Sequence, residues 1–178
     1  MWAYETTFYQ IYPLGFCGVP RENAPVGEEP VEPVPAPGDA AAAAPDASQG
    51  GVAQGAPNPA PNPSAPIRKV GGWAPYLERM GFGVVLLNPV FESDSHGYDT
   101  RDLTRIDRRL GTNADFADVV RELHAHGVRV VLDAVFNHVG RGFWAFRDVR
   151  ARRWDSPYKD WFCISFDGDS AWGDGFWY

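Results

Sequence analysis

Residues 128–138 read VRVVLDAVFNH, an apolar run that passes directly into acidic, amide and imidazole side chains. The Val and Leu residues predict a β-strand. Ligands bind at the carboxyl ends of the strands in parallel α/β sheets. We therefore expect Asp133, Asn137 and His138 to lie at a binding edge.

The sequence upstream alternates between strand-like and helix-like patterns. Residues 6–12 (TTFYQIY) and 84–87 (VVLL) predict two further strands, each followed by a proline-containing stretch. Apolar spacing predicts a short helix over 73–80 and a longer helix that Asn113 caps. This order predicts consecutive βαβ units, and both a doubly wound sheet and part of a (β/α)8 barrel fit it.

Residues 88–112 show no clear periodicity and predict a long loop, which compact domains keep mostly for function. This loop holds His96, Tyr98 and Asp99. Tyr98 follows a glycine and offers a flat ring on which a sugar can stack, or else it packs inward as an ordinary loop residue.

Each polar residue at the end of the 128–132 strand has a structural alternative to a functional role. Asp133 needs a charged or hydrogen-bonding partner, or it simply caps the following loop. The amide oxygen of Asn137 can bind Ca²⁺ and the imidazole of His138 can donate to a sugar hydroxyl. A zinc site of His96, His138 and Asp133 is permitted by residue type but lacks the usual ligand spacing.

Composition sets one segment of the chain apart. Residues 20–66 hold most of the 16 prolines and none of the aromatic residues, and they carry much of the net charge of −7. Such a segment predicts a disordered or extended insertion. An acidic chain without a basic block or a long apolar run argues against nucleic acid and membrane as partners. The N-terminus does not resemble a secretory leader, so Cys17 and Cys163 predict reduced thiols in a cytoplasm.

Several stretches together resemble the α-amylase superfamily, glycoside hydrolase family 13. These are FYQIYP (8–13), LNPVF (87–91), SHGYDT (95–100) and DAVFNH (133–138). Two later stretches, FRDV (146–149) and SPYKDWF (156–162), resemble the neopullulanase, cyclomaltodextrinase and maltogenic amylase subgroup.

The resemblance implies an α/β fold that is the N-terminal part of a (β/α)8 TIM barrel, with barrel strands one to three. Residues 1–19 and 67–138 would form this partial barrel, interrupted by the disordered insertion at 20–66. Residues 139–178 would start a domain B insertion after strand three and would be truncated. The tryptophans of this last region are expected either to line a sugar-binding wall or to form the core of the insertion.

The resemblance also implies roles for individual residues. Tyr98 stacks on the sugar in the subsite before the scissile bond, His138 binds the same sugar, and His96 and Asp99 belong to the same substrate-binding set. Asp133 supports the active-site network. Asn137 matches a structural Ca²⁺ ligand, but many intracellular members do without this ion, so no cofactor is expected to be required.

The implied activity is retaining hydrolysis of α-1,4 glucosidic bonds in maltodextrins, with α-1,6 bonds left open. The family nucleophile and acid/base follow strands four and five, beyond residue 178, so we expect no catalytic residue in this chain and no activity from it alone. The expected partner is an α-glucan oligosaccharide, and a homodimer is compatible with a full-length form.

Three rival interpretations fit the same sequence. A transglycosylase or branching enzyme would use the same barrel with a sugar acceptor in place of water. A non-catalytic half-barrel would bind glucan through Tyr98, His138 and the tryptophans. A degenerate gene remnant would lack a stable fold, because three strands leave a bare sheet edge.

Overall fold

Strands and helices alternate along the chain as the βαβ pattern predicts. A computed structural model describes residues 1–25 and 60–178. Its strands are β1 (Thr7–Ile11), β2 (Phe82–Leu87), β3 (Phe91–Ser93), β4 (Thr100–Ile106) and β5 (Arg129–Leu132). Its α-helices are α1 (Pro13–Cys17), α2 (Arg68–Gly71), α3 (Ala74–Arg79), α4 (Asn113–Ala125) and α5 (Trp144–Arg152), and short 3-10 helices cover Trp2–Tyr4, Arg153–Asp155 and Lys159–Trp161.

The three strands predicted from the sequence form one parallel sheet in the order β1-β2-β5. Gln10 pairs with Leu86, and Leu86 pairs with Val131. Val84 and Val85 in the central strand are fully buried, as expected for a strand covered on both faces. All three strands run the same way, so their carboxyl ends meet at one edge of the sheet.

Helices cover one face of this sheet and bury the main hydrophobic core. Leu77 from α3, Leu87 from β2 and Leu123 from α4 are fully buried in one cluster. Gly71 of α2 lies against Val119 of α4, where a Cβ would be in ordinary van der Waals contact with the valine side chain. The longer helix predicted from apolar spacing is therefore confirmed as α4.

The cap predicted for α4 was wrong by one residue. Thr112 is the N-cap, and it forms a capping box in which its hydroxyl accepts from the Asp115 amide while Asp115 accepts from Thr112. Asn113 instead accepts from the Ile106 amide at 2.8 Å and donates to the Thr104 carbonyl at 3.1 Å. Its amide group thus continues the hydrogen bonding of β4, a tertiary contact that local sequence does not reveal.

The long loop expected at 88–112 contains an antiparallel hairpin of β3 and β4. Periodicity missed it because several of its buried side chains are charged. Glu92, Arg101 and Asp107 are buried, and the Asp107 carboxylate accepts from Arg109 at 2.6 Å. Paired charges therefore fill buried positions of the hairpin, and the alternating apolar pattern typical of a strand is absent.

The C-terminal region has its own small core, and the sequence did not predict its helix α5. Phe146, Val149 and Phe176 are buried in this cluster, and Trp144 packs against it. Four other tryptophans in the region are at least half exposed: Trp154 (64%), Trp161 (50%), Trp172 (69%) and Trp177 (56%). Phenylalanines rather than these tryptophans therefore fill the core.

Both ends of the proline-rich segment are attached to the rest of the protein. The Pro20 and Arg21 carbonyls accept from Arg109, and the Asn62 amide donates to Asp115 at 2.6 Å. Residues 26–59 lie outside the described residues, so the expectation of a disordered insertion stays a prediction. Across the described ranges, none of the helices has both the length and the apolar character that a membrane span needs.

Candidate functional site

The carboxyl ends of β1, β2 and β5 place three polar side chains at one edge of the sheet. Tyr12, Asn88 and Asp133 each follow the last residue of a strand. The backbone ladder continues through them, with the Asn88 amide donating to the Ile11 carbonyl at 2.9 Å and the Asp133 amide donating to the Leu87 carbonyl at 2.8 Å. The sheet therefore fixes the backbone positions of these three residues.

A chain of hydrogen bonds holds the Tyr98 hydroxyl at this edge. Gln10 Nε2 donates to Asn88 Oδ1 at 2.9 Å, and Asn88 Nδ2 donates to the Tyr98 hydroxyl oxygen at 2.5 Å. Tyr98 in turn donates to Asp133 Oδ2 at 3.1 Å. Tyr98 supplies the hydrogen-bonding partner that the sequence requires for Asp133, and its phenol ring is fixed relative to three strands.

Asp99 stays ionised at neutral pH. Burial acts to raise the pKa of its carboxyl, but hydrogen bonds from the side chain and backbone of Ser95 and from its own amide, with the nearby His96, bring the pKa below its ordinary value. The Ser95 hydroxyl donates to Asp99 Oδ2 at 2.6 Å. Asp99 Oδ1 is buried and has no hydrogen-bond donor among the described residues.

His96 lies on the exposed side of the same loop. Its Nδ1 accepts from the Tyr98 amide at 3.2 Å and lies 3.7 Å from Asp99 Oδ1. Its carbonyl oxygen accepts from the Tyr12 hydroxyl at 3.1 Å, and burial raises the pKa of Tyr12, which keeps that hydroxyl a neutral donor. The structure thus brings His96, Tyr98, Asp99 and Asp133 together.

Asn137 and His138 stand apart from this cluster in their hydrogen bonding. Both side chains are exposed, and Asn137 Nδ2 lies 3.3 Å from His138 Nδ1. The neighbouring Phe136 is 81% exposed. Their loop is held to the site from its other side, where the Gly140 amide donates to the Thr100 carbonyl at 2.8 Å.

Metal chemistry finds little support in the described part of the chain. No group of three or more His, Cys, Asp or Glu side chains within residues 1–25 and 60–178 could hold an ion. The zinc alternative for His96, His138 and Asp133 therefore has no support. Asn137 as a calcium ligand stays a prediction.

Gln10, Tyr12 and Asn88 belong to the site but were not identified from the sequence. One signal could have found two of them. Gln10 and Tyr12 alternate with Tyr9 and Ile11, which pack in the core, so strand alternation places them on the opposite face. Asn88 follows a buried strand just as Asp133 does, and the same edge argument applies to it.

Comparison with known proteins shows which family the chain resembles. The family model for the alpha amylase catalytic domain matches residues 72–176. Neopullulanase 2 of Thermoactinomyces vulgaris is 37% identical over 164 residues, which are 92% of this chain and 25% of that protein. A cyclomaltodextrinase of Thermoanaerobacter pseudethanolicus is 34% identical over 164 residues, again 92% of this chain and 25% of that protein.

Solved structures give the same result. A cyclic alpha-maltosyl-(1→6)-maltose hydrolase from Arthrobacter globiformis, in complex with maltose, matches with a TM-score of 0.63 and 30% identity over 96% of this chain and 34% of that chain. A debranching enzyme from Nostoc punctiforme matches with a TM-score of 0.63 and 28% identity over 95% of this chain and 31% of that chain. The chain spans about a quarter of the length of the curated relatives it matches.

Proposed function

This chain belongs to the alpha-amylase catalytic-domain family, and we propose that it forms part of a retaining glycoside hydrolase acting on α-glucosidic bonds of maltodextrins. In this proposal β1, β2 and β5 are the first three strands of a (β/α)8 barrel, and residues 139–178 begin the insertion after the third strand. The parallel strand order β1-β2-β5 supports it, because barrel strands follow one another in chain order.

The fixed Tyr98 hydroxyl is the observation that carries the proposal. Bonds to Asn88 and Asp133 hold the phenol at the carboxyl edge of the sheet, where parallel α/β proteins bind their ligands. A rigid aromatic ring provides a large contact area for the C–H face of a sugar at low entropic cost. We assign Tyr98 as the platform on which one glucose unit stacks.

The polar groups around Tyr98 are suited to sugar hydroxyls. Ionised Asp99 is an acceptor, and its side chain is 22% exposed. The exposed imidazoles of His96 and His138 can each donate or accept. We propose that these three side chains bind hydroxyl groups of the same glucan and that Asp133 keeps Tyr98 in place.

Neither Asp99 nor Asp133 is proposed to break the glycosidic bond. Asp99 has a lowered pKa, which is the opposite of what a general acid needs. Asp133 already accepts from Tyr98. Retention requires a nucleophile and an acid/base about 5 to 5.5 Å apart. We propose that both residues belong to the part of the enzyme that this chain does not cover in its relatives.

A binding titration tests the proposal. It uses the protein as produced in its native cell, and the intact mass of that protein is measured first. We expect maltotriose to bind and cellotriose, which has β linkages, to bind much more weakly. Tyr98→Ala should weaken maltotriose binding about tenfold, since lost stacking contributes ~1.5 kcal/mol. Tyr4→Ala is the matched control, because Tyr4 is 86% exposed and lies at the far N-terminus.

Product analysis separates the remaining alternatives. Release of reducing sugar from maltodextrin supports hydrolysis, and longer products with an added acceptor sugar indicate transglycosylation. Binding without any product favours a non-catalytic glucan-binding role. Equal affinity for maltotriose and cellotriose would contradict the proposal.

We also propose that the protein works in a reducing, cytoplasmic compartment. Cys17 and Cys163 are both free thiols, which supports this compartment.

A further inference from the structure

Asp94 lies at the base of the loop that carries Tyr98 and Asp99. Its backbone amide donates to the Asp99 carbonyl at 2.9 Å and closes the turn between β3 and β4. Its side chain is 27% exposed. Asp94 has no assigned role in sugar binding, and its side chain is directed at a different part of the chain.

The Asp94 carboxylate connects this loop to the segment that follows His138. Asp94 Oδ2 accepts from the Gly142 amide at 3.0 Å, and Gly142 is four residues beyond His138. Two residues earlier, the Gly140 amide donates to the Thr100 carbonyl at 2.8 Å. Two hydrogen bonds therefore hold the His138 segment against the Tyr98 segment, one of them through a charged side chain.

The two segments touch so closely that glycine is required at both contact points. A Cβ at Gly140 would collide with the carbonyl of Asp99 and the carboxylate of Asp94. A Cβ at Gly142 would collide with the carboxylate of Asp94 and the side chain of Arg101. The Asp94 carboxylate and the 140–142 backbone are therefore in close contact.

Arg101 keeps Asp94 in position. Its guanidinium donates to Asp94 Oδ1 through Nε and to the Ala24 carbonyl through Nη1 at 2.8 Å. The Arg101 side chain is only 9% exposed, so its charge needs a partner, and Asp94 supplies it. The Asp94 carboxylate is thus held by Arg101 through Oδ1 while its Oδ2 accepts from Gly142.

We propose that Asp94 is a positioning residue that sets the loop of Asn137 and His138 relative to the loop of Tyr98 and Asp99, and so determines glucan affinity without touching the sugar. This inference rests on the proposed function, because it concerns the same binding edge. Its physical basis is the bond to Gly142, which joins two loops that otherwise follow different strands.

Asp94→Ala and the control Asp102→Ala test this role. Asp102 lies in the same hairpin, its side chain is 21% exposed, and it pairs with the nearby Arg105, so both changes remove one carboxylate from one ion pair. We expect hydrogen exchange at the Gly142 amide to become about tenfold faster in Asp94→Ala, as loss of a bond to a charged group predicts. Exchange in Asp102→Ala should remain like the wild type.

The maltotriose dissociation constant is the decisive readout. We expect it to rise about tenfold in Asp94→Ala and to be unchanged in Asp102→Ala. Asp94→Ala should also melt at a lower temperature than Asp102→Ala, because Arg101 is left buried without its carboxylate partner, so both titrations are run well below the lower of the two melting temperatures. Asp94→Asn keeps the side-chain size and one acceptor oxygen and serves as the second variant if Asp94→Ala does not fold. An intermediate dissociation constant is expected for it.

The outcomes separate this proposal from the proposed function. A wild-type protein that does not bind maltotriose overturns the proposed function. Wild-type binding together with unchanged affinity in Asp94→Ala overturns the positioning role alone. An affinity loss that merely follows the fall in melting temperature in both variants also overturns it, since any destabilising change would then have the same effect.

Discussion

The Tyr98 hydroxyl donates a hydrogen bond of 3.1 Å to Oδ2 of Asp133, a residue 35 positions further along the chain. The same hydroxyl oxygen accepts from Asn88 at 2.5 Å. One phenol therefore links the ends of β2 and β5 to the loop between β3 and β4. The Tyr98 hydroxyl stabilises the fold and orients the ring, whereas the ring itself provides the proposed contact area for a sugar.

Tyr98→Phe separates these two contributions. The ring remains, but Asp133 and Asn88 lose a partner, so we expect the free energy of unfolding to fall by about 1 kcal/mol. Maltotriose affinity should fall less than in Tyr98→Ala. Urea unfolding and a sugar titration measure the two effects, with Tyr4→Phe as the control. If Tyr98→Phe and Tyr98→Ala weaken binding equally, the ring is not a stacking platform.

Asp107→Ala should be among the most destabilising single changes in the hairpin. The side chains of Asp107 and Arg109 are 1% and 5% exposed, and Asp107 also accepts from the amide and hydroxyl of Ser93. Removing the carboxylate leaves a buried guanidinium uncompensated, which costs ~3–5 kcal/mol.

Urea unfolding compares this variant with Asp102→Ala, whose more exposed ion pair with Arg105 predicts a loss of only ~0–1 kcal/mol. Similar losses in the two variants would show that burial of the Asp107 pair has little weight. An insoluble Asp107→Ala can be replaced by Asp107→Asn, which should still be less stable than Asp102→Asn.

The two cysteines should differ strongly in reactivity. Burial raises the pKa of the Cys17 thiol to about 11, although the nearby Lys69 acts in the opposite direction, whereas Cys163 is exposed. Because the thiolate is the nucleophile, iodoacetamide at pH 8 should modify Cys163 well before Cys17. Mass spectrometry of the alkylated protein measures the order. The difference should disappear in urea, and equal native rates would contradict the burial of Cys17.

His126 predicts a stability difference that depends on pH. Its Nδ1 lies 2.7 Å from Glu78 and its Nε2 lies 3.4 Å from Glu122, and the hydrogen bond to Glu78 is the main cause of its raised pKa. A raised folded pKa means that the charged form stabilises the fold. This contribution is fully present below the ordinary histidine pKa of about 6.5 and is lost as the pH rises through the folded value.

His126→Gln should therefore unfold more easily than the wild type at pH 5.5 and differ little at pH 9. Thermal unfolding at both pH values measures this difference. His124→Gln is the control, because His124 is an exposed residue at the same end of α4. A difference between wild type and His126→Gln that does not change with pH would contradict the ion pairs.

Gly140→Ala should destabilise the junction between the two site loops. The added methyl group has no space beside the Asp99 carbonyl, and overpacking of this kind costs ~1–3 kcal/mol. Gly72→Ala is the control, since Gly72 has φ −59 at the end of α2 and its Cβ would meet its nearest atom at 3.5 Å. Chemical denaturation measures both variants, and an equally stable Gly140→Ala would show that the loops can move apart.

The parts of the fold that were predicted from the sequence are those specified by local hydrophobic patterns. Residues 84–87 and 128–132 were predicted to be strands and form β2 and β5. The spacing of Phe116, Val119 and Leu123 predicted α4. These elements could be found without the structure because burial of a continuous apolar face leaves a periodic trace in the chain.

The hairpin of β3 and β4 and the helix α5 were not predicted, because their sequences show no clear apolar periodicity. Arg101 and Asp107 are buried in the hairpin through pairing with charges, and α5 carries three arginines alongside its buried Phe146 and Val149. A buried charge is recognisable only when its partner is known. The partner of Arg101 lies seven residues away, and its second acceptor, Ala24, lies 77 residues away.

The candidate site, like the fold, could be predicted only in part from the sequence. Residue types and their position after parallel strands were enough to single out Tyr98, Asp99, Asp133 and His138, because chain direction alone sends those residues to one edge of the sheet. Tertiary packing selected the bond between Tyr98 and Asp133, the lowered pKa of Asp99 and the contact of Asp94 with Gly142. Each depends on distances of a few ångströms between segments far apart in the chain, and such distances arise only when the sheet and hairpin pack together.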